Sequence, residues 1–257
     1  MQIGIIGRGR VGSALLRNLS GSLSISDCGN KEKLVQSCDV IFLTVPDRVI
    51  KEMAVALAKD NLKGKTFFHC SGSLGLEPLA ELERHGGQVG SLHPLQSFGS
   101  LTANFSGVYM ALDGSKKVKI IGKEIAMLLG AKIFTVPENE RRLYHAAACF
   151  ASNYVVALIS IAQTIMIRWT GDERAALEAL LPLLTGTVHN MRQVPLAATT
   201  LTGPIARGDV TTVAGHLEVL PEKYQEAYKA VGKITVTLAE QNKSITNMQA
   251  NKLRELL

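Results

Sequence analysis

His145, Cys149 and Asn153 follow one another at four-residue spacing in the run His145-Ala-Ala-Ala-Cys-Phe-Ala-Ser-Asn153. Such positions share one helix face, drifting only slightly around it. The alanines between them let a ligand or a second backbone approach. Histidine titrates near neutral pH, so it can donate a proton and be recharged. Asparagine offers N–H donors without charge. A carbonyl that accepts hydride needs both: a proton for its oxygen and a group that polarises it. Three more clusters place polar residues directly after apolar runs: Thr44-Val45-Pro46-Asp47, His69-Cys70-Ser71-Gly72 and His93-Pro-Leu-Gln-Ser-Phe98. His69 and His93 are acid–base candidates, and Ser71 can hydrogen-bond a carboxamide or a carboxylate. Arg207, in Leu201-Thr-Gly-Pro-Ile-Ala-Arg-Gly-Asp209, can clamp a carboxylate through two parallel hydrogen bonds. Structural roles stand beside these: histidines satisfied by packing, and an Arg207–Asp209 pair that fixes its own loop.

The elements that would position these groups begin at the first residues. Ile3 to Ile6 is a short apolar run, and Gly7-Arg8-Gly9-Arg10-Val11-Gly12 follows as G-x-G-x-x-G. Val11, Ala14, Leu15 and Leu19 then recur at helix-face spacing. Strand, glycine turn and helix in that order form a dinucleotide-binding unit. Gly7 permits the tight turn, Gly9 lets a pyrophosphate approach the backbone, and Gly12 lets helix and strand pack closely. Arg8, Arg10 and Val11 complete the turn, and the helix N–H groups hold the phosphates. Ligands of open α/β sheets lie off the carboxyl ends of strands, so Thr44, Val45, Pro46, Cys70 and Ser71 are expected around the nicotinamide end.

The cofactor is NAD or NADP. Asp27, twenty residues past Gly7, suits the ribose hydroxyls of NAD, while Lys31, Lys33 or Arg8 could meet the 2′-phosphate of NADP. Asp27 could instead cap the helix starting at Lys31. About eleven residues precede the next strand, too few for a full crossover, so the adenine side of the pocket is trimmed.

Strand and helix patterns alternate to about residue 137, which predicts an α/β Rossmann-like domain with a mostly parallel, doubly wound sheet over 1–137. The sequence predicts helices at Val49–Ala58, Leu74–His85 and Ile120–Leu129. Pro137 and the acids after it suit a helix start. From there the pattern is all helix, giving an all-α domain over 138–257. One long helix is predicted from Arg141 to about Trp169, and a second from Asp172 to Leu184, bent or started at Pro182. Thr187–Val194, Val210–Leu220, Pro221–Gln241 and Asn247–Leu256 follow.

The 257 residues are 46% hydrophobic and 19% charged, an ordinary balance for a core-forming protein. The net charge of +6 is scattered, so nucleic acid is not the expected partner; a modest positive field suits an anionic cofactor and a small anionic substrate. Cys28, Cys38, Cys70 and Cys149 include no C-x-x-C pair, so no metal site is signalled. The apolar stretch Ala151–Ile167 is interrupted by polar residues and reads as a buried helix, not a membrane span. No signal peptide is read, and a reducing cytoplasm is the expected compartment. The apolar helix from Arg141 exceeds what one small domain needs to cover, which predicts a homodimer.

Taken together, these motifs resemble the Rossmann-like NAD(P)-dependent oxidoreductases that carry a helical C-terminal domain of formerly unknown function. That family is similar to ketopantoate reductases, pyrroline-5-carboxylate reductases and 6-phosphogluconate dehydrogenase-like proteins. The resemblance implies a helical domain of the 6-phosphogluconate dehydrogenase-like type. It also implies an NAD(P)H-dependent reductase of a small 2-oxo acid, with ketopantoate (2-dehydropantoate), reduced to pantoate in pantothenate biosynthesis, as first candidate. Ketopantoate reductases carry a helical Lys-x-x-x-Asn-x-x-x-Asn. Here His145 takes the lysine place, Cys149 that of the first asparagine and Asn153 that of the second. The implied catalytic residues are therefore His145, Asn153, Arg207 and His93. The alternatives are an imine reductase or a deazaflavin-linked NADP oxidoreductase, and a nucleotide-binding regulatory protein without turnover.

Overall fold

In the computed structural model, residues 1–19, 25–26, 30–59, 61–99 and 103–257 are described. The N-terminal element is strand β1 (Ile3–Ile6), followed at once by helix α1 (Arg10–Leu19). Next come β2 (Ile25–Ser26), α2 (Lys31–Ser37), β3 (Val40–Leu43), α3 (Asp47–Leu57) and β4 (Thr66–His69). A 3₁₀ turn then leads into α4 (Ala80–Arg84), β5 (Gln88–Pro94), β6 (Tyr109–Gly114), α5 (Lys116–Leu128) and β7 (Lys132–Thr135). The sheet order is β2-β1-β3-β4-β5-β6-β7. All neighbours pair in parallel except β5 and β6, where His93 lies opposite Ala111. Strands β1, β3, β4 and β5 therefore run in one direction and end on one edge of the sheet. Gly7, Thr44, Cys70 and His93 lie along that edge.

The core explains why these short runs became strands. Every residue of β1, β3 and β4 is buried, as expected of parallel strands covered on both faces. Side chains alternate across the sheet. Ile5, Phe42, Phe68 and Leu92 enter one apolar layer with Ala14 and Leu15 of α1 and Ile125 of α5. Ile6, Ile41, Leu43 and Phe67 enter the opposite layer with Leu34 of α2 and Ile50 of α3. This is the doubly wound sheet the sequence predicts.

Three local expectations are corrected. The predicted helix Leu74–His85 is only a 3₁₀ turn, Glu77–Leu79, and the five residues of α4. Ser71 Oγ accepts the N–H groups of Ser73 and Leu74, and Pro78 at the turn's start delays the helix. The predicted helix Arg141–Trp169 is two, α6 (Arg141–Ala151) and α7 (Asn153–Thr170). Ser152 adopts φ −128 and ψ −72, and its N–H bonds the Cys149 carbonyl three residues back. Serine and asparagine side chains compete with helical backbone bonds, which favours a break there. Conversely, α8 (Glu173–Arg192) runs without interruption through Pro182.

The chain divides into two compact units, Met1–Tyr154 and Val155–Leu257. The second contains most of α7, α8, α9 (Val210–Val219), α10 (Glu222–Gln241) and α11 (Asn247–Leu256). Its small core gathers Val213, Val236, Ala239, Ala250 and Leu253.

Candidate active site

The glycine turn is built by backbone clashes that only glycine avoids. Gly7 has φ +109, and a β-carbon there would lie 2.7 Å from the Thr44 carbonyl oxygen. A β-carbon on Gly12 would overlap the Gly7 carbonyl and Thr44 Oγ1. Thr44 closes the arrangement: its hydroxyl donates to the carbonyls of Gly7 at 2.8 Å and Ile6 at 3.2 Å. Gly9 differs, because a β-carbon on it would meet nothing nearer than the Thr44 carbonyl oxygen at 4.0 Å. Its face is open to an incoming group. The first intrahelical bond of α1 runs from Ser13 N–H to the Gly9 carbonyl at 2.9 Å. The amides of Arg10, Val11 and Gly12 precede it, and the first turn carries no acid. Open face and orphan amides together fit a pyrophosphate. Arg8 and Arg10 are exposed at the turn, Val11 half-buried.

Val45 and Pro46 lead into α3, whose first residue, Asp47, reaches across to the loop after β4. Ser71 Oγ donates to Asp47 Oδ2 at 2.7 Å. Ser71 is therefore tied into the loop that the sequence reading assigned to cofactor contact. His69 is fully buried below it. Its Nδ1 accepts the Ser71 N–H at 3.2 Å, so the ring proton sits on Nε2, which donates to the Gly75 carbonyl at 2.8 Å. Burial lowers its pKa to about 4, against a raising effect of the Gly75 bond. His69 is a neutral staple of the loop. The Cys70 thiol is pushed up to about 12 by burial, so it is no thiolate.

His69 makes stability depend on pH. An unfolded histidine protonates near 6.5, but this one only near 4. The neutral form is favoured in the fold, so the contribution is fully present above 6.5 and is lost as pH falls towards 4. About 3 kcal/mol is involved. Urea unfolding between those limits should show a shallower fall of stability in His69→Asn than in the parent chain. Equal slopes would remove the assignment.

The cleft itself lies beside β5 and α6. It has a volume of about 340 Å³, and His93, Leu95, Gln96, His145 and Asn153 are among its walls. His93 stands at the end of β5, its Nδ1 2.6 Å from the Tyr144 hydroxyl. The His93 and His145 rings are 6.1 Å apart, edge to face. His93 has its pKa lowered to about 4, first by burial, then by His145 and Arg141; Asp47 opposes and His69 adds slightly. Tyr144 is raised to about 12, chiefly by burial. Arg141 is fully buried and donates from Nη1 to the Ser71 carbonyl at 3.3 Å. Burial lowers its pKa.

Thus one edge of the sheet gathers the glycine turn, Thr44, Val45, Pro46, Cys70, Ser71 and His93, and α6 brings His145. Asn153 borders the same cleft, but Cys149 is not among its walls. Arg207 is exposed in the second unit, in a 3₁₀ turn. Asp209 caps α9, accepting from Thr212 N–H at 3.0 Å and from the Thr212 hydroxyl at 2.6 Å. Asp27 lies outside the described residues. The cap of α2 is Asn30, whose side chain accepts from Lys33 N–H. Sequence reasoning gave no role of their own to Asp47, Gly72, Arg141 and Tyr144. The signal available for Tyr144 was its place next to His145.

Residues 108–235 match the family described as a domain of unknown function, DUF2520. No curated protein matches the chain. Among solved structures, a Bacteroides fragilis protein provisionally assigned as an NADP oxidoreductase is similar at 18% identity and TM-score 0.73, covering 92% of this chain and 98% of its own. A Thermotoga maritima protein shares 26% identity, with TM-score 0.62 and 98% of each chain covered. A Plasmodium falciparum pyrroline carboxylate reductase with NADP bound shares 14% identity, with TM-score 0.63, over 100% of this chain and 98% of its own. The chain thus has the fold of these solved structures, a Rossmann-like region followed by a helical one, and its residues 108–235 match the DUF2520 family.

Proposed function

We propose that this protein is an NAD(P)H-dependent reductase of a small anionic carbonyl compound, with the 2-oxo acid ketopantoate as first candidate. The observation that carries the reading is the shared edge: the open face of Gly9 and the cleft of His93, His145 and Asn153 lie off the same strand ends. Bound at this turn, a reduced nicotinamide dinucleotide supplies hydride. The chain's own part is to bind and orient. Gly9 and the α1 amides take the pyrophosphate, His145 gives a proton to the forming alkoxide, and Asn153 orients the oxygen. Arg207 is the proposed carboxylate clamp, from its loop motif. A cyclic imine carboxylate is the second reading, supported by the likeness to a pyrroline carboxylate reductase. Titration with NADPH and NADH, then a panel of 2-oxo acids and cyclic imines read by loss of reduced-nicotinamide absorbance, separates the two. Binding of neither dinucleotide would end the proposal.

We also propose a homodimer through the helical unit. None of the residues of α7 is buried, and Ala176 alone is buried in α8. Val156 is 65% exposed, Trp169 69% and Leu183 71%. Isolated apolar residues at a surface are ordinary, but faces of this extent call for a partner. The segment Glu138–Thr170 is also long and apolar enough to cross a membrane, by length and composition. Light scattering at micromolar concentration should give twice the chain mass without detergent. A monomer, or material soluble only in detergent, would overturn the dimer.

A further inference from the structure

Three features around His93 and His145 have no task in the reductase reading. The Tyr144 hydroxyl is 2.6 Å from His93 Nδ1, and the Tyr144 ring packs against Phe134 at 5.7 Å. The position a β-carbon would take on Gly72 lies 2.7 Å from His145 Nδ1 and 2.9 Å from His93 Nε2. The two nitrogens therefore converge on one small space, which the missing side chain leaves open. Among the described residues, His145 Nδ1 is buried without a hydrogen-bond partner, as are Nε and Nη2 of Arg141. The Arg141 charge acts on both His93 and Tyr144.

We propose that Tyr144 and His93 form a proton relay behind His145, with Gly72 as its spacer and Arg141 as its counter-charge. The relay rests on the reductase reading for its purpose, but its resting geometry does not. Tyr144 donates to His93 Nδ1, so the His93 proton sits on Nε2 and faces the gap beside Gly72. There it serves the acceptor His145 Nδ1 through one bridging water, which leaves the His145 proton on Nε2. As charge grows on the substrate oxygen, the His145 Nε2–H bond breaks and the oxygen–hydrogen bond forms. His145 Nδ1 takes a proton from the water, the water takes one from His93 Nε2, and His93 Nδ1 takes the Tyr144 proton. The remaining phenolate is balanced by the Arg141 guanidinium until solvent returns a proton. A neutral His93 is required, since an imidazolium would have no free Nδ1. The groups facing it are Tyr144, His145 and Arg141 on α6, Asp47 on α3 and His69 on β4, and their balance with burial favours the neutral ring.

The test uses the full chain with ¹⁵N-labelled histidine. At neutral pH, the spectrum of the free protein should show His93 as the Nε2–H tautomer, and Tyr144→Phe should lose that preference. In turnover, Tyr144→Phe and Gly72→Ala should each lower kcat by about 10- to 100-fold while KM and dinucleotide affinity stay within about twofold. Mixed H₂O/D₂O rates should bow downward for the parent chain and become linear in Tyr144→Phe. A His93 Nδ1–H tautomer, or full kcat in Tyr144→Phe, overturns the relay. If the parent chain reduces no compound in the panel, the reductase reading fails, and the tautomer measurement alone decides the geometry.

Discussion

Gly9→Val is expected to leave the melting temperature unchanged and to weaken dinucleotide binding by about 100-fold, roughly 2.8 kcal/mol. Gly12→Ala, three residues on, is expected to do the reverse in order of cause: it should destabilise the N-terminal unit by about 3 kcal/mol or more, and lose binding as a consequence. The contrast comes from what each glycine faces. At Gly12 an added carbon overlaps the Gly7 carbonyl and Thr44 Oγ1, and neither can withdraw. Thr44 is held by two carbonyls, and the Gly7 carbonyl belongs to the turn itself. At Gly9 the nearest atom is 4.0 Å away, so the protein has room for a side chain, but the space is the approach path of the phosphates. Thermal melts and fluorescence titration with NADPH check both variants. A Gly9→Val protein that melts normally and binds NADPH like the parent would sink the pyrophosphate assignment.

The second large effect is expected at His145. His145→Ala should lower kcat by about 100- to 10,000-fold on whichever substrate the panel identifies, with little change in dinucleotide affinity. His145 lines the cleft with His93 and Asn153, whereas the glycine turn is formed by other strand ends. Removing the imidazole thus takes away the proton donor while the cofactor site stays intact. A packing role predicts a different pattern: a lowered melting temperature with activity largely kept once the protein is folded. Single-turnover rates at saturating NADPH, measured beside thermal melts, distinguish the two. Unchanged turnover in a folded His145→Ala chain would remove it from the chemistry.

The legible parts of this sequence were the local ones. Gly7, Gly9 and Gly12 declared a turn by their spacing alone, although the Thr44 atoms that Gly7 and Gly12 must clear lie more than thirty residues along the chain. The sheet was legible from Ile3–Ile6, Val40–Leu43 and Thr66–His69, where burial on both faces demands continuous apolar runs. His93 could be picked out as a candidate, but not its partner: Tyr144 stands 51 residues away along the chain. Asp47 and Ser71, 24 residues apart, met for the same reason. Ser71 looked like a ligand contact because its loop ends a strand; the carboxylate that engages it came from a helix start. The break at Ser152 was hidden by the apolar periodicity on either side of it.

Arg141 bears on how such a chain can change over generations. A guanidinium buried with one hydrogen bond among the described residues holds the fold together less well than a methionine or leucine of similar size would. Selection for heat resistance alone should therefore drift away from arginine at this position, and selection for turnover should restore it. Position 141 becomes a place where a library sorted twice, once by melting and once by rate, would give opposite answers.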